Sequence, residues 1–159
     1  MKVFQTVHFQ KGGGEMLSTS EKKRRADILR RTPIFKDMSA ATERLLCALC
    51  PSDFLAGDTI AGADDFRALR GLGVLLCGKA SIYGGDGEKR ILMNRLGVGD
   101  VFGAATVFFS EEEAVSTVLA KTKCRILFIE RNTLETIMKD DFAVASAYIA
   151  FLSERICFL

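Results

Sequence analysis

Between about Phe54 and Ile129 the chain consists of short β-prone runs separated by glycine, and this spacing limits the folds that it can adopt. The runs read FLAGDTIAG, LRGLGVLLCGKASIYGG, RILMNRLGVGD and STVLAKTKCRILFIE. Many short strands with regularly spaced turn signals are typical of a β-sandwich or β-roll. The segment Tyr83–Glu88, YGGDGE, predicts a hairpin turn between two of the strands. We therefore predict a β-roll over residues 52–130.

Residues 20–51, before the roll, carry two helical patterns. The first predicted helix begins after Ser20 as its N-cap and ends at Pro33, and the second has Ser39 as its N-cap and ends at Pro51. One side of the second helix is expected to be apolar and carries Leu45, Leu46, Cys47, Leu49 and Cys50. Residues 1–19 are expected to form a flexible tail because they contain a glycine triplet, and either Met1 or Met16 is the start.

Residues 131–159, after the roll, predict two more helices. RNTLETIMKD is one, and Asp141 or a neighbour opens another that runs to the end of the chain. Apolar residues recur along this last helix at alternating spacings of three and four, as in a coiled-coil dimer seam: Phe142, Ala145, Ile149, Leu152, Ile156 and Leu159. The alternative is a helix packed on its own roll. Tyr148, Phe151 and Phe158 widen the apolar surface enough for both uses.

Length, charge and cysteine content narrow the class of protein. A chain of 159 residues fits one globular domain. The formal net charge of +2 gives no overall attraction to nucleic acid or to an anionic membrane, and the run at residues 22–25, KKRR, is expected to be a solvated helix face. No apolar run is long enough for a membrane span. Five cysteines, an odd number, favour a reducing compartment, so a cytoplasmic location is expected.

From about Leu29 to Leu159 the chain resembles the effector half of Crp/Fnr-type bacterial transcription regulators, whose roll is the cyclic-nucleotide-binding fold. The matching segments are PIFKDMSAATERLL, FLAGDTIAG, LLCGKASIY, LGVGDVFG and CRILFIERNTLETIM. The resemblance implies a mainly β effector domain over residues 20–159: a double-stranded β-helix of the jelly-roll type, flanked by N-terminal helices and a long C-terminal dimerisation helix. Sharp turns are expected at four glycines, Gly57, Gly78, Gly99 and Gly103.

The resemblance also implies that DNA is bound through a helix-turn-helix domain that follows the long helix. This chain stops before such a domain could begin. We expect either a truncated regulator or a stand-alone sensor that acts by dimerising.

Residues 99–118, GDVFGAATVFFSEEEAVSTV, form the segment that we call the cassette. In cyclic-nucleotide binders of this family, a glutamate after Phe-Gly holds the ribose and an arginine neutralises the cyclic phosphate. Ala104 and Ala114 stand at these two positions, so both contacts are missing and no response to cyclic AMP is expected. An unpaired phosphodiester is costly to bury, and the nearest basic side chains in sequence, Arg95 and Lys121, lie outside the segment from Gly99 to Val118.

The cassette can still contribute to a pocket. A helix beginning at Gly103 would direct backbone N–H groups into the roll and offer a weak anion site. We expect either a small, mostly apolar pocket or a packed core without a ligand, and the residues concerned are Gly103, Ala104, Ala105, Thr106, Ala114, Ser116 and Thr117.

Catalytic and metal chemistry receive little support from the sequence. A cupin metal site needs several histidines, and this chain has one, His8. No serine, cysteine or carboxylate has an evident base beside it in the sequence. Four cysteines are expected to be buried apolar residues rather than iron–sulfur ligands: Cys47, Cys50, Cys77 and Cys124. We predict a protein that is not an enzyme and carries no cofactor or metal.

Taken together, these features predict the ligand-sensing and dimerising half of a transcription regulator, acting as a homodimer with an unknown small-molecule effector and no membrane partner. The alternative is a degenerate roll that binds no small molecule and serves in dimerisation or protein interaction. A cyclic-nucleotide binder with unusual contacts ranks last because of Ala104 and Ala114.

Overall fold

A computed structural model describes residues 17–62, 71–85, 89–109 and 116–158. In these ranges helices flank a set of strands, as the sequence predicts. The elements in chain order are α1 (Thr19–Arg31), α2 (Ala40–Ala48), β1 (Ser52–Phe54), β2 (Thr59–Ala61), β3 (Gly71–Cys77), β4 (Ala80–Gly84), β5 (Ile91–Leu96), β6 (Val101–Phe102), β7 (Ser116–Ala120), β8 (Cys124–Glu130), α3 (Arg131–Asp140) and α4 (Phe142–Cys157).

The strands form two four-stranded antiparallel sheets, with the orders β1-β8-β3-β6 and β2-β7-β4-β5. Both sheets draw strands from distant parts of the chain, which is the arrangement of a jelly roll. Strands β4 and β5 pair as a hairpin from Ala80 opposite Leu96 to Gly84 opposite Ile91. The predicted mainly β roll with flanking helices and the predicted hairpin are both confirmed; residues 86–88 of the hairpin turn lie outside the described residues.

Strands β3 and β8 are apolar on both faces because each separates two cores. Leu72 and Val74 of β3 pack toward the helices, together with Leu127 and Ile129 of β8. Alternate residues pack between the two sheets, among them Leu75 and, from β8, Cys124 and Ile126. Strands covered on both faces form continuous apolar runs rather than alternating ones. This explains the runs GVLLC and CRILFI in the sequence.

The four glycines at which sharp turns were predicted all have positive φ. The values are +90° at Gly57, +91° at Gly78, +89° at Gly99 and +81° at Gly103. At Gly78 a Cβ atom would also lie 2.2 Å from the carbonyl oxygen of Lys123. Both the backbone conformation and the space therefore require glycine at this position.

Helix α1 begins two residues earlier than the sequence predicts. Ser18, not Ser20, is the N-cap, and it forms a capping box in which its hydroxyl accepts from the N–H of Glu21 and the Glu21 carboxylate accepts from the N–H of Ser18. This reciprocal pair satisfies two backbone N–H donors. Ser20 could not form such a pair, because the residue three positions after it is Lys23. Most of the predicted tail, residues 1–19, lies outside the described residues.

Helices α1 and α2 are tied together by a buried arginine. The guanidinium of Arg25 donates to the carbonyl oxygens of Cys47, at 3.0 Å, and Leu49, at 2.7 Å, at the C-terminal end of α2. The apolar side predicted for α2 is only partly buried. Leu46 is fully buried, whereas Leu45 is exposed and Cys50 lies beyond the helix end at the surface.

Helices α3 and α4 confirm the two helices predicted after the roll. Asp141 is the N-cap of α4, but its carboxylate makes no cap hydrogen bond there. It accepts instead from the N–H of Ser39 and the hydroxyl of Thr42 at the start of α2. Among the described residues, no helix has the length and apolar character needed to cross a bilayer.

Candidate functional site

The cassette follows β6 as a single helical turn. The carbonyl oxygen of Gly103 accepts from the N–H groups of Thr106, at 3.1 Å, and Val107, at 3.0 Å, and residues 104–108 form turns. The expected helix beginning at Gly103 is therefore wrong: within the described residues 103–109, the bond from Val107 to Gly103 is the only one of α-helical spacing, and the bond from Phe109 to Thr106 spans three residues. One turn carries too few aligned peptides for a helix dipole, so the anion site expected from it loses its physical basis.

The residues expected to line one pocket differ in burial and lie in different parts of the structure. Ala104 is 5% exposed and packs in the helix-side core, whereas Ala105 is exposed. Thr106 is half-buried, and its hydroxyl donates to the carbonyl oxygen of Gly103. On β7, Ser116 and Thr117 are half-buried and stand opposite residues 84 and 83 of β4. Ala114 lies outside the described residues.

The two basic side chains nearest the cassette in sequence both lie on or beside the second sheet. The Nζ atom of Lys121 lies 5.1 Å from the centroid of the Tyr83 ring on the second sheet. Arg95 lies on β5, at the edge of that sheet. A different arginine, Arg131 of α3, stacks over Phe108 in the cassette turn at 5.5 Å, but its Nε atom is 2.9 Å from the carboxylate of Glu135. Sequence reasoning missed this contact, since nothing in the local pattern marks Arg131.

Tyr148 joins helix α4 to the cassette turn. Its hydroxyl donates a hydrogen bond to the carbonyl oxygen of Ala104, 44 residues earlier in the chain. The ring packs edge-on against Phe108, with centroids 5.7 Å apart and planes at 77°. The side chain is buried, and burial raises the pKa of its phenol, so the phenol keeps its proton to donate. Sequence reasoning treated Tyr148 only as apolar width; its partner could not be read from the local sequence.

Helix α4 buries one face and exposes another. Val144 and Tyr148 are buried against the helix-side core, and Phe151 packs partly on it. Three apolar residues on the other side are exposed: Phe142 at 80%, Ile149 at 62% and Ile156 at 69%. We call these three the exposed stripe. Of the other predicted seam residues, Ala145 and Leu152 are half-buried beside it, and Leu159 lies outside the described residues.

The cysteines differ from the prediction of buried apolar residues. Cys124 is buried, but Cys47 is half-buried and Cys50 and Cys77 are exposed. Cys77 is the outward-facing last residue of β3, and burial raises the pKa of the thiols of Cys47 and Cys124. No group of three or more histidine, cysteine, aspartate or glutamate side chains is placed to hold a metal within the described ranges.

Comparison with known protein families identifies the family of this chain. The family model of the cyclic nucleotide-binding domain matches residues 51–141. No curated protein sequence is similar enough to count as a relative.

Solved structures with the same fold include sensor domains of transcription regulators. The sensor domain of the regulator DNR from Pseudomonas aeruginosa is 17% identical with a TM-score of 0.68, over 82% of this chain and 91% of that chain. The catabolite activator protein of Thermus thermophilus is 20% identical with a TM-score of 0.68, over 79% and 58%. The regulatory domain of Toxoplasma gondii PKA, solved with cAMP, is 18% identical with a TM-score of 0.67, over 78% and 47%.

This chain thus spans about half the length of the last two proteins. Identities this low show a shared fold and leave ligand and partner to be argued from the site itself.

Proposed function

This chain belongs to the cyclic nucleotide-binding domain family, and on that premise we propose that it is the ligand-sensing and dimerising half of a Crp/Fnr-like transcription regulator. The observation that supports this proposal best is the position of α4. The helix contacts the cassette through Tyr148 and offers the exposed stripe to solvent. A helix in this position connects a ligand site to a dimer interface.

The exposed stripe is suited to a second copy of the chain. Phe142, Ile149 and Ile156 are spaced by seven residues, so they line up along the helix as one position of a heptad. Ala145 and Leu152 flank them as the other seam position, half-covered by their own roll. Three large apolar side chains in a row gain about 1.5–3 kcal/mol each when fully removed from water. Pairing of two α4 helices would supply that burial.

The contact at Tyr148 gives the two functions a shared element. A ligand that shifts the cassette turn moves the carbonyl of Ala104, and the hydroxyl of Tyr148 must follow or lose its partner. Tyr148 lies one residue before Ile149 of the exposed stripe, so a rotation of α4 reaches the dimer seam directly. An effector would then shift the population of two helix arrangements rather than create a new one.

The effector is not expected to be cyclic AMP. Ala104 and Ala114 replace the two side chains that hold the nucleotide in binders of this family, and Ala104 is packed in the core. The packing of Ala104 also favours a second candidate function: a roll without a small-molecule ligand that serves only as a dimerisation module. Binding to DNA would need a helix-turn-helix domain attached to α4.

The experiment that tests the dimer is a charge substitution in the exposed stripe. Wild type is expected to sediment as a dimer, and the double variant Ile149→Glu with Ile156→Glu as a folded monomer. Leu152 is avoided because it packs partly on its own core. The matched control is Ala150→Glu with Cys157→Glu, which places the same two charges one residue along, on exposed positions about 100° round the helix. A wild-type monomer, or a double variant that remains a dimer, would refute the proposed interface.

A further inference from the structure

A cavity of about 190 Å³ lies between strand β5 and helix α4, and two arginines line it. Arg95 comes from β5 and Arg155 from the last turn of α4. The other residues that line it are Pro33, Asn94, Leu96, Asp100, Val101 and Phe151. Asp100 and Val101, at the start of the cassette, line this cavity, but none of the pocket residues expected at positions 103–117 does.

The two guanidinium groups are available to a ligand. Within the described part of the chain, neither makes an ion pair or a hydrogen bond. The guanidinium carbon of Arg155 lies 4.7 Å from the centroid of the Phe151 ring. Stacking on an aromatic ring holds the plane of a guanidinium while leaving its N–H edge open for hydrogen bonds.

One carboxylate also lines the cavity, and it reduces but does not cancel this positive charge. The Oδ2 atom of Asp100 accepts from the N–H of Gly97 at 2.7 Å, so that oxygen already serves the turn before β6. Two guanidinium groups and one carboxylate leave a net charge of +1 around the cavity. An anion that displaced water here would meet two sets of planar N–H donors and one fixed negative charge.

We propose that this cavity binds the carboxylate or phosphate head of a small molecule. Arginine is suited to both groups, because its planar N–H fork matches two oxygens at once. The volume limits the size of the ligand: pockets for drug-sized molecules measure roughly 300–1,000 Å³. A phosphate or a short dicarboxylate fits the space, whereas a whole cyclic nucleotide would extend outside it.

The position of the cavity gives the ligand a route to the dimer seam. Arg155 directly precedes Ile156 of the exposed stripe, and Phe151 packs on the helix-side core. An anion held between Arg95 and Arg155 would fasten the C-terminal half of α4 to β5. This consequence rests on the proposed function; the binding itself does not.

The test is a titration of ¹⁵N-labelled protein with sodium phosphate and with sodium malonate, followed by NMR, with sodium chloride at the same ionic strength as reference. We expect saturable shifts of the amides at residues 94–96, 100–101 and 151–155, with a dissociation constant in the millimolar range or below. Arg95→Gln and Arg155→Gln should each weaken binding about tenfold, as expected for a lost charge-assisted hydrogen bond. Arg90→Gln, an exposed arginine just before β5 that does not line the cavity, is the matched control.

Shifts that do not saturate, or that centre on residues 103–109, would overturn the site, and so would affinities unchanged in both arginine variants. The wild-type shift map decides the question even where a variant folds poorly, which circular dichroism would reveal. Sedimentation with and without phosphate separates the two proposals. A bound anion that leaves the dimer unchanged would keep the site and refute its link to the seam.

Discussion

The hydroxyl of Tyr148 stabilises the fold through one buried hydrogen bond, to the carbonyl oxygen of Ala104. Replacing Tyr148 with phenylalanine keeps the ring against Phe108 but leaves the buried carbonyl of Ala104 without its partner. An unsatisfied buried acceptor costs about 1–3 kcal/mol, so Tyr148→Phe should lower the free energy of unfolding by about 1–2 kcal/mol in urea denaturation. Tyr83→Phe is the control, since Tyr83 is half-buried and its ring contact with Lys121 survives. Equal effects of the two substitutions would contradict the role given to the Tyr148 hydroxyl.

Single residues differ in how far their sequence context determines them. The glycines at 57, 78, 99 and 103 could be predicted as sharp turns, because each ends a β-prone run and a turn there needs positive φ. The exposure of Cys50 and Cys77 could not be predicted. Apolar neighbours in the sequence do not show that Cys50 follows the end of a helix or that Cys77 lies at the exposed end of a strand. The partner of Tyr148 lies 44 residues away, and no local pattern encodes so distant a contact.

At the scale of elements, Asp141 connects α2 to the junction of α3 and α4. Burial disfavours its charged form and is the largest single influence on its pKa, but the hydrogen bonds that the carboxylate accepts, above all from the Ser39 N–H and the Thr42 hydroxyl, lower the pKa overall. A lowered pKa adds stability above the ordinary aspartate value of about 3.9 and loses it as the pH falls through the folded-state value.

Asp141→Ala should therefore destabilise the fold by about 2 kcal/mol at pH 7, within the range for hydrogen bonds to a charged group. The deficit should shrink as the pH falls below about 4, because the wild-type carboxylate is then protonated as well. Urea unfolding of both proteins from pH 7 to pH 3 measures this. The neighbouring exposed residue supplies the control, Asp140→Ala, which should change little. A deficit that stays constant with pH would rule out a role for the charge.

The bounds of helices and their buried faces could be predicted where the local sequence pattern alone determines them. For α4 the sequence left two alternatives, a dimer seam or packing on its own roll. The structure shows that one apolar face of the helix packs on the roll and another is exposed, so packing on the roll is confirmed and the seam stays a prediction. The cassette helix was wrong because residues 104–108 form turns, and tertiary contacts of Phe108 with Tyr148 and Arg131, which the local sequence does not encode, hold this segment. The start of α1 was missed by two residues because the run STS offers three equivalent cap residues, and only Ser18 pairs with Glu21.

For the whole molecule, cyclic AMP and cyclic GMP should leave thermal stability unchanged. A ligand at one hundred times its dissociation constant stabilises the native state by about 2.7 kcal/mol, which raises the melting temperature of a domain this size by roughly 5–10 °C. No such shift is expected in a thermal-shift assay, because Ala104 and Ala114 offer neither a ribose contact nor a charge for the phosphate. A clear shift with either nucleotide would instead support a cyclic-nucleotide binder with unusual contacts.

The position of Tyr148 also gives the molecule a built-in optical probe. The chain has no tryptophan and two tyrosines, so its near-ultraviolet emission comes from two phenols. Tyr148 is buried between α4 and the cassette turn. Tyr83 lies on the second sheet, with the ammonium group of Lys121 over its ring. Any movement that parts α4 from the roll alters one emitter and leaves the other as an internal reference, so the joint can be followed in unlabelled protein.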